Sequence, residues 1–136
     1  MKLLMIYCEK FGYQPRMKTL DDAPDISEGT EFNNALVGFI QLEARDEENS
    51  GYVETKLIKN LKWAARKNET NTIVLHSFAH LSESKASPEL TKTIFDSAEK
   101  RLDDSGYEVS QTPFGYFLDL DLRAPGHPLA RLFKEF

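Results

Sequence analysis

The segment from Thr72 to Ser82, which reads TIVLHSFAHLS, constrains this chain more than any other stretch. Ile73, Val74 and Leu75 leave a strand no polar face, which puts it inside a sheet, and the run ends at once in His76, Ser77, His80 and Ser82. Open α/β sheets place their sites where buried strands deliver polar groups at their carboxyl ends. The other stretch of comparable strand strength is Pro113 to Leu122, which leads into Gly126, His127, Pro128 and Leu129. The two segments are expected to face each other.

The remaining elements follow from periodicity. Leu3, Leu4, Met5 and Ile6 predict a central strand over Lys2 to Glu9. From Phe11 to Thr30 the pattern dissolves into Gly12, Pro15, Pro24, Gly29 and the acidic Asp21, Asp22, Asp25 and Glu28, which predicts an irregular connection. A strand resumes over Asn34 to Arg45 and stops at Asp46 to Gly51. Between Tyr52 and Lys67 the period becomes helical, with Val53, Leu57, Ile58, Leu61, Ala64 and Ala65 on one stripe. Ser87 reads as an N-cap and Pro88 as the first position of a second helix, whose stripe is Leu90, Ile94, Phe95, Ala98 and Leu102 and which Gly106 ends. A short strand is predicted at Tyr107 to Ser110 and an alternating one at Gly115 to Arg123, with a last helical turn near Pro128 in the tail from Pro125 to Phe136. The order β, β, α, β, α, β, β predicts an α/β class: a single domain over 1–136 with a mixed β-sheet and two main helices.

At 136 residues the chain is the size of one domain. No apolar run approaches the roughly 18 residues of a membrane span, and Met1 to Tyr7 lacks the features of a signal peptide, so no membrane partner and a cytoplasmic location are expected. The single cysteine, Cys8, reads as a small residue at the end of a buried strand. A net charge of −5 argues against coating nucleic acid through its phosphates, while leaving open recognition of a small part of one. Lys56, Lys59, Lys62, Arg66 and Lys67 surround Trp63 on the first helix. That face could meet an RNA backbone, but a solvated face with Trp63 at a rim or in a dimer contact is the preferred reading.

His76 and His80 stand four apart, a metal-ligand spacing on a helix that need not converge at a strand end. No metal and no cofactor are expected. The Ser82 and Lys85 pair fits a Ser-x-x-Lys spacing that is common by chance. No Gly-rich phosphate loop occurs. His80 and His127 are the best acid-base or orienting candidates, because a neutral imidazole both donates and accepts near pH 7.

Taken together, Phe78 to Ser82 (FAHLS), Pro113 to Tyr116 (PFGY) and Gly126 to Ala130 (GHPLA) resemble the amino-terminal editing domain of archaeal threonyl-tRNA synthetases. The resemblance runs through Leu36 to Ile40 and Glu43 and covers nearly the whole chain. It implies a fold like that of D-aminoacyl-tRNA deacylases, a homodimer, and hydrolysis of the ester joining L-serine to the 3′-terminal adenosine of threonine tRNA. It implies further that the terminal ribose hydroxyl assists the attacking water, so that positioning and oxyanion stabilisation suffice without a protein nucleophile. By motif position, the backbone of Ser77, Phe78 and Ala79 would wall the pocket, His80 would sit beside the aminoacyl group and Leu42 near the adenine. Tyr116, Phe117 and Leu118 would complete the substrate side, and His127 and Arg131 would join His80 as catalytic candidates. The partners implied are the 3′ end of an aminoacyl-tRNA and a threonyl-tRNA synthetase catalytic subunit.

The chain also departs from that pattern. Family members usually carry a second hydroxyl-bearing tyrosine and then a catalytic lysine after Phe-Gly and its aromatic residue, where this chain has Phe117 and Leu118. Arg131 stands where a glutamate is usual, and Ser77 where a proline is usual. Arg131 could supply positive charge from a new direction. The alternatives to an active deacylase are a catalytically altered relative that binds an aminoacyl-tRNA end, and an interaction module that recruits a synthetase subunit through Trp63 and its lysines.

Overall fold

The structure, a computed structural model, describes residues 1–136. Its strands are β1 (Lys2–Lys18), β2 (Thr30–Gln41), β3 (Thr72–Ser77), β4 (Glu108–Gln111), β5 (Tyr116–Arg123) and β6 (Arg131–Glu135), with helices α1 (Ser50–Lys67) and α2 (Pro88–Asp104). They form one mixed sheet in the order β4-β3-β2-β1-β5, with β6 also paired to β1. β2, β3 and β4 are parallel, and β1 is antiparallel to β2, β5 and β6.

The two crossovers, β2-α1-β3 and β3-α2-β4, step the same way across the sheet. Right-handed connections therefore put both helices on one face. The alternation along each strand follows: Leu3, Met5, Leu36, Ile40, Ile73 and Leu75 pack under Leu57, Leu61, Ile94, Phe95 and Leu102 of the helices. Each such large side chain contributes about 1.5–3 kcal/mol of burial. The opposite face carries a smaller cluster of Cys8, Phe11, Ala35, Val37, Phe39 and Val74 with no helix over it. Burial pushes the Cys8 thiol up to about 11, opposed by the nearby charge of Arg131.

Three segments differ from expectation. β1 does not break at Glu9 but runs 17 residues, because its second half finds a partner in β5, far away in sequence. Pro15 is tolerated there since pairing with β2 ends at Tyr13 and a register shift follows Pro15, leaving no N–H demanded on the open side. β2 starts earlier, at Thr30, and ends at Gln41 rather than Arg45. The Glu43 N–H donates to Asp46 Oδ2 at 2.8 Å, and Ala44–Asn49 turns into a 3-10 helix. The helical turn near Pro128 is present as Pro128–Ala130, but it is followed by β6, which pairs with Lys2 to Ile6 at the other end of the chain. No helix is long and apolar enough to cross a membrane.

Candidate active site

The carboxyl ends of β2 and β3 open into a cavity of about 350 Å³. Ile40, Gln41 and Leu42 bring β2 to it, His76 to His80 bring β3, and Pro113 to Leu118 bring the start of β5. The two strongest strand segments of the sequence thus line one cavity, although β2 and β1 separate them in the sheet.

The connection from β3 to α2 is held by one buried side chain. Gln41 Oε1 accepts from the Leu81 and Ser82 N–H groups at 2.7 and 2.8 Å, while its Nε2 donates to the Ser82 and Ser84 carbonyls at 2.8 and 2.9 Å. All four bonding positions of a carboxamide are used, which is the condition for burying one at little cost. Glu43 adds a bond from the Ser82 hydroxyl at 2.8 Å. Burial alone would raise the Glu43 carboxyl, but bonds from the Met1 ammonium and Ser82, with the charges of that ammonium and Lys2, outweigh it and hold it at about 2. The Met1 ammonium also reaches Asp46 at 3.0 Å and the Phe136 carbonyl.

On the helix-free face, Phe133, Leu4, Phe39 and His76 form one cross-strand row. The His76 ring packs edge-on to Phe39 at 5.0 Å and tilts against Phe78 at 5.8 Å, and Phe78 in turn meets the His80 ring at 4.9 Å, steeply tilted at 60°. His76 Nδ1 is bonded to Thr112 Oγ1 at 2.9 Å. Burial, with a smaller push from His80, lowers the imidazole to about 4, so it is neutral near pH 7.

The Phe78 N–H continues the ladder to the Ile40 carbonyl at 3.0 Å. The next two N–H groups, of Ala79 and His80, have no partner in the chain, and both residues line the cavity. Consecutive free amides beside a cavity are the donors that a developing oxyanion requires.

Of the residues expected at the site, Leu42, Ser77, Phe78, Ala79, His80, Tyr116, Phe117 and Leu118 all line this cavity. Leu42 is 2% exposed, Phe117 51%. The Tyr116 hydroxyl donates to the Pro24 carbonyl at 2.6 Å and accepts from the Ile26 N–H at 2.9 Å, tying the β1–β2 connection to β5. His127 and Arg131 do not line the cavity. His127 stands at the N-cap position of the turn before β6 without a side-chain capping bond, and Arg131 pairs opposite Ile6, with its Nη1 donating to the Pro125 carbonyl at 3.0 Å.

Sequence reasoning passed over Thr19, Leu20 and Lys85 as lining residues. The first two lie in the segment read as irregular. Their N–H groups both bond to the Gly115 carbonyl, at 2.7 and 3.3 Å. Gly115 has φ +84, and a Cβ there would meet Ala23 Cβ at 3.1 Å, so the Phe-Gly pair was a legible sign of this close approach. Lys85 gave no such signal.

The fold is shared with the c-Myc DNA unwinding element binding protein, at a TM-score of 0.70 and 11% identity over 100% of this chain and 99% of that one. That likeness speaks to architecture alone, a mixed α/β sheet with two helices on one face. A family model described as the Archaea-specific editing domain of threonyl-tRNA synthetase matches residues 1–136, and the chain belongs to that family. Threonine–tRNA ligases are similar along its length: that of Hyperthermus butylicus at 37% identity over 143 residues, covering 100% of this chain, and that of Methanosphaera stadtmanae at 34% over 134 residues, covering 97%. The chain spans 23% and 22% of those two ligases.

Proposed function

We propose that this chain is an aminoacyl-tRNA deacylase, removing L-serine from threonine tRNA by hydrolysis of the 3′ ester. The observation that carries this reading is that Ala79 and His80, exposed residues of the cavity lining, have N–H groups without a partner in the chain, next to family membership. In the reaction a water adds to the ester carbonyl, the carbonyl oxygen takes up negative charge, and the C–O bond to the ribose breaks as a proton that came from the water passes to the departing ribose oxygen, freeing serine. The two amides stabilise that charge, and the terminal ribose hydroxyl guides the water. His80, held against Phe78, orients the aminoacyl group rather than attacking it. Leu42 supports an apolar seat for the adenine.

Incubation with Ser-tRNA(Thr), Thr-tRNA(Thr) and a D-aminoacyl-tRNA tests this. Faster loss of serine than of threonine supports the reading, and no loss above buffer with micromolar protein defeats it.

A second reading is a relative that binds the 3′ end without hydrolysing it. It is favoured by Leu118, which brings an aliphatic side chain to the cavity where the family usually has an ammonium, and by Arg131, which is bonded to Pro125. Deacylation appearing only in the Leu118→Lys, Arg131→Glu double variant would select it. The proposed assembly is a homodimer working with a synthetase catalytic subunit. The apolar helix-free face, where Phe133 is 51% exposed, supports the dimer.

A further inference from the structure

We infer that Lys85 is the anion-binding group of this cavity and that it holds the phosphate of the terminal nucleotide at the rim. This rests on the proposed reading of the cavity as the seat of a 3′-terminal adenosine. Apart from the histidines, Lys85 is the only lining residue with an ionisable side chain of either sign other than the phenol of Tyr116. No carboxylate lines the cavity, so nothing there neutralises the ammonium.

The backbone around Lys85 is pinned. The Ser84 carbonyl is bound by Gln41 Nε2 at 2.9 Å, the Ser84 hydroxyl accepts from the Ala44 N–H at 3.0 Å, and the Ala86 N–H donates to the Leu42 carbonyl at 3.0 Å. Its side chain is exposed and makes no hydrogen bond or ion pair, whereas Lys92 on α2 pairs with Asp96 at 2.9 Å and Gln111 at 3.1 Å. A fixed attachment with an uncommitted ammonium suits a phosphate, which lysine binds as a point charge. It suits an oxyanion less, since that needs donors held in place before charge develops.

The amino end of α2 offers little competition. Pro88 has no N–H, those of Leu90 and Thr91 are bonded to Ser87 at 3.1 and 3.0 Å, and the one left free belongs to Glu89, whose own carboxylate repels an anion. In a chain of net charge −5, a nucleotide entering this cavity finds its cation at Lys85.

Titration of the whole chain with adenosine and with AMP, followed by amide chemical shifts at about 20 mM salt, tests the assignment. AMP is expected to bind roughly fivefold more tightly than adenosine, the upper end for one exposed ion pair. The preference should vanish in Lys85→Ala, survive in Lys85→Arg and shrink near 1 M salt, where the Debye length is about 3 Å. Adenosine affinity should be the same in all three proteins. Equal affinity for the two ligands in the parent chain, or a preference that persists in Lys85→Ala, overturns the Lys85 assignment and leaves the nucleoside seat standing. Failure of both ligands to shift Leu42 and Ser77 to His80 at millimolar concentration overturns the seat itself, and the assignment with it.

Discussion

His76 Nδ1 lies 2.9 Å from Thr112 Oγ1, and this bond joins the end of β3 to the residue that opens the β4–β5 connection. Both groups are buried, His76 at 5% and Thr112 at 5% exposure. Thr112→Val removes the partner and keeps the shape. It should cost about 1–3 kcal/mol in urea unfolding at pH 7.5, the penalty for a buried polar atom left alone.

The same histidine sets an acid limb. Its imidazole titrates near 6.5 when unfolded and about 4 when folded, so the unfolded chain binds the extra proton in between. Its contribution is whole above pH 6.5 and is lost as pH falls toward 4. His76→Gln should flatten the stability profile across that window. An unchanged slope in the variant would show that the loss arises elsewhere.

Glu43 governs the next window. Its carboxyl titrates near 4.5 unfolded and about 2 folded, so its contribution is whole above pH 4.5 and disappears as pH falls toward 2. Glu43→Gln should lower stability at pH 7 by on the order of 3 kcal/mol. Because Ser82 hangs on Glu43, hydrogen exchange at Leu81 and Ser82 should quicken in the variant well beyond that of β3.

Gly115 joins the cavity wall to the segment that follows β1. With φ +84 and Ala23 Cβ 3.1 Å from where a methyl group would stand, Gly115→Ala should cost about 1–2 kcal/mol, seen as a lower Tm. The amide shifts of Thr19 and Leu20 should move most, since both bond to the Gly115 carbonyl.

Leu118 is half-buried and lines the cavity. Leu118→Lys should raise the single-turnover rate of serine release by tenfold or more, on the order of what one charge aimed at a developing oxyanion supplies. A rate equal to that of the parent chain would mean that no reacting atom comes within reach of this position.

What the sequence revealed was local. The apolar run of Ile73 to Leu75, the stripe from Val53 to Ala65 and the Ser87 cap are each decided within a few residues, and those elements are where periodicity puts them. The second half of β1 and all of β6 were not legible, because one side of that half pairs with β5 and β6 pairs with β1, both distant in sequence, while Gly12, Pro15 and the acidic run beyond them hide the alternation. At the site, the FAHLS and PFGY stretches carried the lining of β3 and β5. Lys85 stood out only through a Ser-x-x-Lys spacing that is common by chance, because an exposed lysine in a serine-rich connection looks like solvation. What sets it apart is the pinning of its neighbours by Gln41 and Leu42, a long-range effect.

In the proposed reaction the end of β3 receives an aminoacylated adenosine. The most direct measurement is a titration with 3′-serylamino-3′-deoxyadenosine, whose amide resists hydrolysis, monitored at every backbone amide. Saturable shifts are expected at Ala79 and His80, whose N–H groups would gain a carbonyl partner, together with Leu42 and Leu118, and none along the outer face of α1. Saturable shifts confined to residues outside the cavity, with Ala79 and His80 unmoved, would contradict it.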